Sequence, residues 1–477
     1  MTDIAGLRQA IVESLPAETS HSGQPPDLEH LYIPPAHIKA LRLDCHLVIG
    51  TRGAGKSVWT AALGCSVLRK ALGAVVPALD QTEVRIGFAE VGNSELYPDA
   101  DTFAQLLAAG ATAYDVWRSV VARWVAQLQA QPIPQTDWST TVTWVRANPE
   151  ALARMMQQTS QQFVESGRQG LIVFDALDRL SQNWQEMDLI VRDLLRVALW
   201  LKSYPRLSAK VFLREDQAER TVTDFPDASK LLATQAELAW APHDLHSLLW
   251  QTLLNGPGEQ GEKLRGVYLQ TTKMSAQQSD GHWLLAESCK KDTPLQRALF
   301  EALAGPWMGR DKRRGVPYVW AVSHLADGKG RTSPRSFLAA IRQAAEVSDE
   351  RYSTHPLALH YEGIKQGILK ASGIRVNEMA EDYSWVRTFM EPLTGLNVPC
   401  EYSSLLDRWN SQLGSSPAQV NIHGLPPQHT QRGWDGIKDD LRRLGVLDLK
   451  KDGRIDMPDL YRVGFGLGRK GGVKPKS

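Results

Sequence analysis

Apolar positions along this chain follow two regimes. Through the first half, short continuous apolar runs alternate with longer stretches of helical period. The runs are Leu43 to Ile49, Val84 to Glu90, Leu171 to Asp175, Lys210 to Arg214 and Ala236 to Trp240. Runs this short, bounded by polar residues, fit strands buried on both faces of a parallel sheet. Between them lie Lys56 to Gly73, Ala113 to Gln129, Val142 to Glu165, and Leu189 to Leu201, where Ile190, Leu194, Val197 and Leu201 align. The alternation predicts an α/β fold around a parallel sheet. The two stretches rich in Trp and Ala, within about residues 95–168, read as a helical insertion on that core.

After Pro242 the pattern turns helical: Asp244 to Leu254, Pro294 to Ala304, and Pro334 to Ala345 with Ser333 as N-cap. Val347 to Leu357 reads as a boundary, followed by a helix from His360 to Ser372. Tyr383 to Leu393, Glu401 to Gln412 and Gly433 to Leu444 read as three more helices. In the last, Trp434, Ile437, Leu441 and Leu444 share a face and Gly445 ends it. Val446 to Lys450 and Arg454 to Met457 flank Asp452-Gly453, a two-residue hairpin signal. Helices followed by a hairpin outline a winged helix. The expected organisation is a lead segment (1–40), a core with the insertion (41–245), a helical lid (246–350), a linker helix (351–377), a winged helix (378–462) and a basic tail (463–477). Within the lead, Ile4, Leu7, Ile11 and Leu15 line one side of a short amphipathic pattern, and Ser20 to Pro26 is expected to be mobile.

Charge narrows the partners. Fifty-four Lys and Arg against 53 Asp and Glu leave +1 over 477 residues, so any nucleic-acid site must be local. Four dispersed cysteines form no C-x-x-C pair, which points to a reducing compartment and away from a disulfide or zinc framework. Met1 to Gln9 lacks a signal-peptide pattern, and no apolar stretch is long enough for a bilayer. A cytoplasmic protein with no membrane partner is expected.

One stretch carries specific chemistry. Behind the first apolar run comes Gly50-Thr51-Arg52-Gly53-Ala54-Gly55-Lys56-Ser57, and then a helix. This is a P-loop: its glycines let backbone N–H groups curl around phosphate oxygens. Lys56 is placed for the β- and γ-phosphates and the Ser57 hydroxyl for Mg²⁺. The helix N-terminus adds its dipole to the same anion site. Asp175, closing the third run, stands where a strand-end acid holds Mg²⁺. Asp178 is a candidate to orient an attacking water, or else a helix N-cap. Arg214, ending the fourth run, is a candidate to stabilise transferred charge, or else an ion-pair partner of Glu215 or Asp216. Arg335 is a candidate to reach nucleotide from the lid. Glu90 reads as a plain edge carboxylate, with polarisation of a water as the alternative, and Arg310 to Arg314 as a solvated loop, with an arginine finger or a phosphate contact as alternatives. The tryptophan spacing suggests packing rather than base stacking.

The segments GTRGAGKS, LIVFDALDRL, KVFLRED and ELAWAPHDLHSLLW resemble bacterial STAND-type P-loop ATPases, relatives of AAA+ and KAP-like NTPases. The stretch DGKGRTSPRSFL is similar to the lid segment of such proteins. The resemblance spans about residues 30–350. It implies an ASCE-type sheet, ATP with Mg²⁺ as cofactors, and a nucleotide-controlled switch. It also implies a homo-oligomer and use in bacterial antiviral systems, while this chain's departures from the family pattern point to any effector being a separate protein. By motif, Lys56 and Ser57 become the phosphate and Mg²⁺ residues, Asp175 and Asp178 the paired acids, and Arg214 a sensor-like arginine. The chain departs from that pattern in its enlarged insertion and in lacking a long repeat region after the winged helix. Three readings stay open: an ATP-hydrolysing switch or motor subunit, a DNA-binding loader-like ATPase using the winged helix and basic tail, and a nucleotide-binding scaffold with negligible hydrolysis.

Overall fold

The structure, a computed structural model, describes residues 3–17, 23–218, 221–279 and 281–469. Lys470, Lys474 and Lys476 of the expected tail lie outside the described residues, as do Ser20, His21 and Ser22 of the lead. The chain divides into two units. One comprises residues 23–28 and 33–239, and the other residues 3–17, 29–32 and 240–469.

The first unit is built on five parallel strands: β1 (Leu47–Ile49), β2 (Thr82–Phe88), β3 (Gln169–Phe174), β4 (Leu207–Leu213) and β5 (Ala236–Glu237). Their order is β2-β3-β4-β1-β5. β4 thus lies between the strand that enters the glycine-rich loop and the strand that ends at Asp175, as an ASCE-type P-loop NTPase sheet requires. Every residue of β4 is buried, as the apolar run predicts for a central parallel strand. Register sets Ile49 beside Leu213, and Phe174 beside Val211. Gly50, Asp175 and Arg214 therefore all emerge at the carboxyl edge of the sheet, where ligands bind in open α/β folds.

β1 is shorter than its apolar run. Upstream, the carbonyls of Ala40, Arg42 and Cys45 accept hydrogen bonds from the buried Lys210 ammonium at 2.6, 2.9 and 2.6 Å. Those carbonyls are satisfied by a side chain instead of a neighbouring strand.

Two helices precede the sheet: α1 (Ile4–Ser14), which belongs to the other unit, and α2 (Pro35–Leu41). The expected helix up to Gly73 is two, α3 (Lys56–Gly64) and α4 (Ser66–Leu72), parted at an extended Cys65. Arg69 reaches back to the Leu63 carbonyl at 2.7 Å, satisfying an acceptor near the break. The insertion holds four helices: α5 (Ala100–Ala108), α6 (Ala113–Leu128), α7 (Trp138–Ala147) and α8 (Pro149–Glu165). The predicted single helix from Val142 is divided because Pro149 lacks an N–H and pushes Asn148 out of helical geometry. Trp117 of α6 fixes the insertion to the sheet. Its ring is fully buried against Phe88, Phe103 and Phe174, and its Nε1 donates to the Ile190 carbonyl at 3.1 Å. Ile190 lies on α9 (Trp184–Leu201), and two short helices, α10 (Glu215–Ala218) and α11 (Ser229–Leu232), complete the unit.

The second unit contains α1 with α12 (Pro242–Leu254), α13 (Gly258–Thr272), a hairpin of β6 (Gln277–Ser279) and β7 (His282–Leu284), α14 (Pro294–Ala304), α15 (Pro317–Ser323) and α16 (Pro334–Arg351). α16 runs beyond the predicted boundary at Val347 because Val347 and Ser348 are buried. Ser348 also accepts the His360 N–H at 2.9 Å. Ser333 is the N-cap of α16 and Pro334 its first residue, as expected, although the Ser333 side chain makes no capping bond. α17 (Tyr361–Asp382) passes unbroken through residues 377–378. It approaches α16 closely: a Cβ at Gly367 would sit 2.1 Å from the Ala340 carbonyl. α1 packs against α13 and α16. Its fully buried Arg8 donates to the carbonyls of Tyr352, Ser353, His355, Leu357 and Ala358.

Then follow α18 (Ser384–Met390), an isolated bridge from Cys400 to Ile455, α19 (Tyr402–Leu413), α20 (Gly433–Arg443), β8 (Asp448–Leu449), β9 (Ile455–Asp456) and α21 (Asp459–Gly464). Helix, strand, helix, helix, hairpin is the winged-helix order. The hairpin loop has three residues, not two: Lys450 N–H donates to the Arg454 carbonyl at 2.9 Å, leaving Lys451, Asp452 and Gly453 between them. Gly453 takes φ +88°, the left-handed position that closes such a loop.

Candidate functional site

The glycine-rich loop is tied at its start by the Gly50 N–H donating to the Leu213 carbonyl at 3.1 Å. Within it, Ala54 N–H donates to the Thr51 carbonyl at 3.2 Å. Gly53 and Gly55 take φ +75° and +105°, so both glycines are used where an L side chain would be strained. Gly55 is the N-cap of α3 and has no capping side chain, leaving the first-turn N–H groups to an anion. The half-exposed Thr51 and Arg52 form the outer part of the loop, while Gly50 and Ala54 are buried. The Lys56 ammonium bridges the Gly50 and Thr51 carbonyls at 2.9 Å each. Burial lowers its pKa to about 8, against the opposing pull of Asp175.

Asp175 is 2% exposed and accepts a hydrogen bond from the Ser57 hydroxyl. Its Oδ2 is buried with no hydrogen-bond partner. Burial raises its pKa, and Lys56 opposes that rise. A buried carboxylate oxygen left unpaired beside a hydroxyl is costly unless something cationic completes it. The donors are all oxygen, and the Lys56 and Asp175 side chains lie within electrostatic reach of one another, which suits Mg²⁺ carried in with nucleotide phosphates. Among the described residues no group of three or more His, Cys, Asp or Glu side chains is arranged to hold a metal by itself.

Immediately after Asp175 the chain turns sharply through Ala176 at φ +58° into a 3₁₀ turn at Leu177–Arg179. The turn presents Asp178, whose Oδ2 accepts from Arg214 Nη1 at 3.2 Å. Arg214 also pairs with Asp216 at 3.4 Å, and its side chain is only 12% exposed. The N-cap of α9 is Asn183 and not Asp178: its side chain accepts from the Gln185 and Glu186 N–H groups. Glu90 pairs with Arg179. Arg335 lies in the other unit, on the first turn of α16, where it pairs with Glu378 at 2.7 Å.

One support of the loop has no sequence signal. Trp59, in α3, donates through Nε1 to His37 Nδ1 at 3.1 Å, and His37 Nε2 donates to the Ala239 carbonyl at 3.1 Å. Both bonds fix a neutral ring protonated on Nε2, and burial lowers its pKa to about 4. Twenty-two residues separate His37 from Trp59, so neither periodicity nor motif announces the pair.

Strand order, glycine geometry and the Lys56–Ser57–Asp175 grouping together define a P-loop NTPase fold. The sequence matches no protein-family profile and no curated protein. Among solved structures the chain is similar to the Aeropyrum pernix ORC2 protein in its ADPNP–ADP complexes, at 13% identity and a TM-score of 0.42, covering 93% of each chain. The ADP form of that protein gives 12% identity, a TM-score of 0.33 and 92% coverage of each chain. The fold assignment rests on the strand order and the loop. Among the described residues no helix is long and apolar enough to cross a membrane.

Proposed function

We propose that this chain is a Mg²⁺-dependent ATP-binding and ATP-hydrolysing switch. The observation that carries the reading is the unpaired, buried Oδ2 of Asp175 beside the Ser57 hydroxyl, within electrostatic reach of Lys56. Loop N–H groups and the α3 terminus bind the phosphates, and Lys56 exchanges the Gly50 and Thr51 carbonyls for phosphate oxygens. Ser57 and Asp175 would hold Mg²⁺, which would supply neutralisation of phosphate charge. Asp178 orients the attacking water and Arg214 stabilises charge as the terminal phosphoryl group departs. Their ion pair keeps both groups in place between turnovers.

The motif resemblance to STAND-type ATPases extends the proposal to an oligomeric subunit working with a separate effector in bacterial antiviral defence. The test is ATP turnover by wild type beside Lys56→Ala and Asp178→Ala, with and without double-stranded DNA. Turnover that needs both residues supports the switch. Turnover by Lys56→Ala at the wild-type rate overturns it. Tight ATP retention without turnover favours the scaffold reading.

A loader-like reading has the winged-helix order in its favour. Against it, three of the four cations around α20 are engaged by their own acids, Arg432 and Arg442 by Asp439 and Lys438 by Asp435, which leaves Arg443 exposed at the helix end. Turnover that rises with double-stranded DNA would reinstate it.

A further inference from the structure

Between α14 and α15 runs Gly305-Pro306-Trp307-Met308-Gly309-Arg310-Asp311-Lys312-Arg313-Arg314-Gly315, to which ATP hydrolysis gives no task. Its backbone is closed. Met308 N–H donates to the Gly315 carbonyl at 2.8 Å, and the Asp311 carboxylate accepts the Arg313 N–H at 2.9 Å. Gly305, Gly309 and Gly315 take φ +76°, +141° and +97°, which hold the bends. Met308 is 2% exposed and anchors the neck, and Lys312–Arg314 form a 3₁₀ turn. The loop is a scaffold with fixed ends.

Its charge is mostly uncompensated. Asp311 pairs with Arg313 through Nη2 at 2.9 Å and Nε at 3.3 Å. Arg310, Lys312 and Arg314 are exposed and make no ion pair among the described residues. At the neck the Trp307 side chain is 38% exposed. A chain of net charge +1 thus concentrates three cations without ion pairs and an open indole on one closed loop.

We propose that this loop binds single-stranded nucleic acid, with Arg310, Lys312 and Arg314 on backbone phosphates and Trp307 stacking on a base. Cations that follow a backbone beside an aromatic face are the recurring elements of single-strand recognition. An exposed indole finds its partner in an unstacked base, which a duplex does not offer. A protein partner fits less well, because stable protein interfaces centre on an apolar core. Here Trp307 and the nearby Val319 are the only large exposed apolar side chains of the loop and α15. The inference stands independently of ATP hydrolysis.

Fluorescence anisotropy with labelled oligo-dT tests it on the full chain at about 50 and about 200 mM salt, where phosphate contacts are most and least evident. The combined Arg310→Ala, Lys312→Ala, Arg314→Ala variant should bind roughly tenfold or more weakly at low salt. Its log–log salt slope should be shallower by about 2, from three lost phosphate contacts at about 0.7 each. Trp307→Ala should weaken binding about tenfold with the slope unchanged. Unaltered melting temperatures for both variants would show that the fold is intact. No binding at low salt, or binding indifferent to both variants, overturns the proposal. So does displacement by poly-glutamate as readily as by unlabelled oligo-dT, which would reassign the loop to an acidic protein.

Discussion

Arg214 Nη1 lies 3.2 Å from Asp178 Oδ2, joining a residue at the end of β4 to one in the turn after β3. The two candidates drawn from separate sequence segments form one unit, so their substitutions should not act independently. Asp178→Ala and Arg214→Ala should each lower ATP turnover, and the double variant should be no slower than the slower single. Groups in contact couple by about 0.5–3 kcal/mol. Steady-state kinetics on the four proteins measures this, and fully additive losses would separate the two roles.

Asp175 ties stability to function. Asp175→Asn removes a buried charge with an unpaired oxygen, and the amide oxygen can still accept from Ser57. Without nucleotide the variant should melt about 2–4 °C higher than wild type, the shift expected for roughly 1 kcal/mol in a protein unit of this size. With Mg²⁺-ATP the order should reverse, because only wild type gains the ligand's stabilisation. Thermal melts with and without Mg²⁺-ATP decide it. A variant that keeps the whole Mg²⁺-dependent gain would remove Asp175 from the metal site.

Lys56 predicts a pH dependence. In the folded protein burial lowers its pKa to about 8 from 10.5. Between those values the unfolded chain binds the proton and the native one does not. Stability contributed by this group therefore rises with pH across that window. ATP phosphates favour the charged form, so binding above pH 8 must take up a proton. Apparent affinity should then fall about tenfold per pH unit above pH 8. Calorimetric titration near pH 7 and near pH 9.5, in buffers of different ionisation enthalpy, reads both affinity and proton uptake. Equal affinities at the two values would contradict the buried, bridging position.

Arg8 should be among the most sensitive positions outside the candidate site. Arg8→Leu leaves five carbonyls between Tyr352 and Ala358 without their donor. At about 1–3 kcal/mol for each buried group left unsatisfied, partly relieved by water, the loss should be about 3 kcal/mol or more. Arg8→Lys should recover little, since an ammonium has three donors and no fork. Chemical denaturation of the three proteins tests this, and a loss below 1 kcal/mol for Arg8→Leu would mean that water replaces the guanidinium.

The grouping of the candidate site was largely legible because its motif is local. Gly50 to Ser57 is contiguous, and Asp175 and Arg214 each close an apolar run that can only be a buried strand. Elements whose limits depend on distant residues were not legible. β1 stops at Leu47 because of Lys210, more than 160 positions away. α16 continues to Arg351 because Val347 and Ser348 are buried. The break at Asn148-Pro149 was present in the sequence and outweighed by periodicity on either side. The loop at 305–315 shows the same limit: the charges are plain, whereas its closure by Met308 and Gly315 and the exposure of Trp307 exist only in three dimensions.

The placing of α1 has a consequence in time. A ribosome delivers Arg8 long before the carbonyls that receive it, which come some 340 residues later. The helices α13 and α16, against which α1 packs, are also made only after β5, the last strand of the P-loop sheet. During synthesis α1 must therefore wait while the whole of the parallel-sheet unit is made. The order of manufacture and the order of assembly differ, and α1 finds its place only once segments far downstream of it exist.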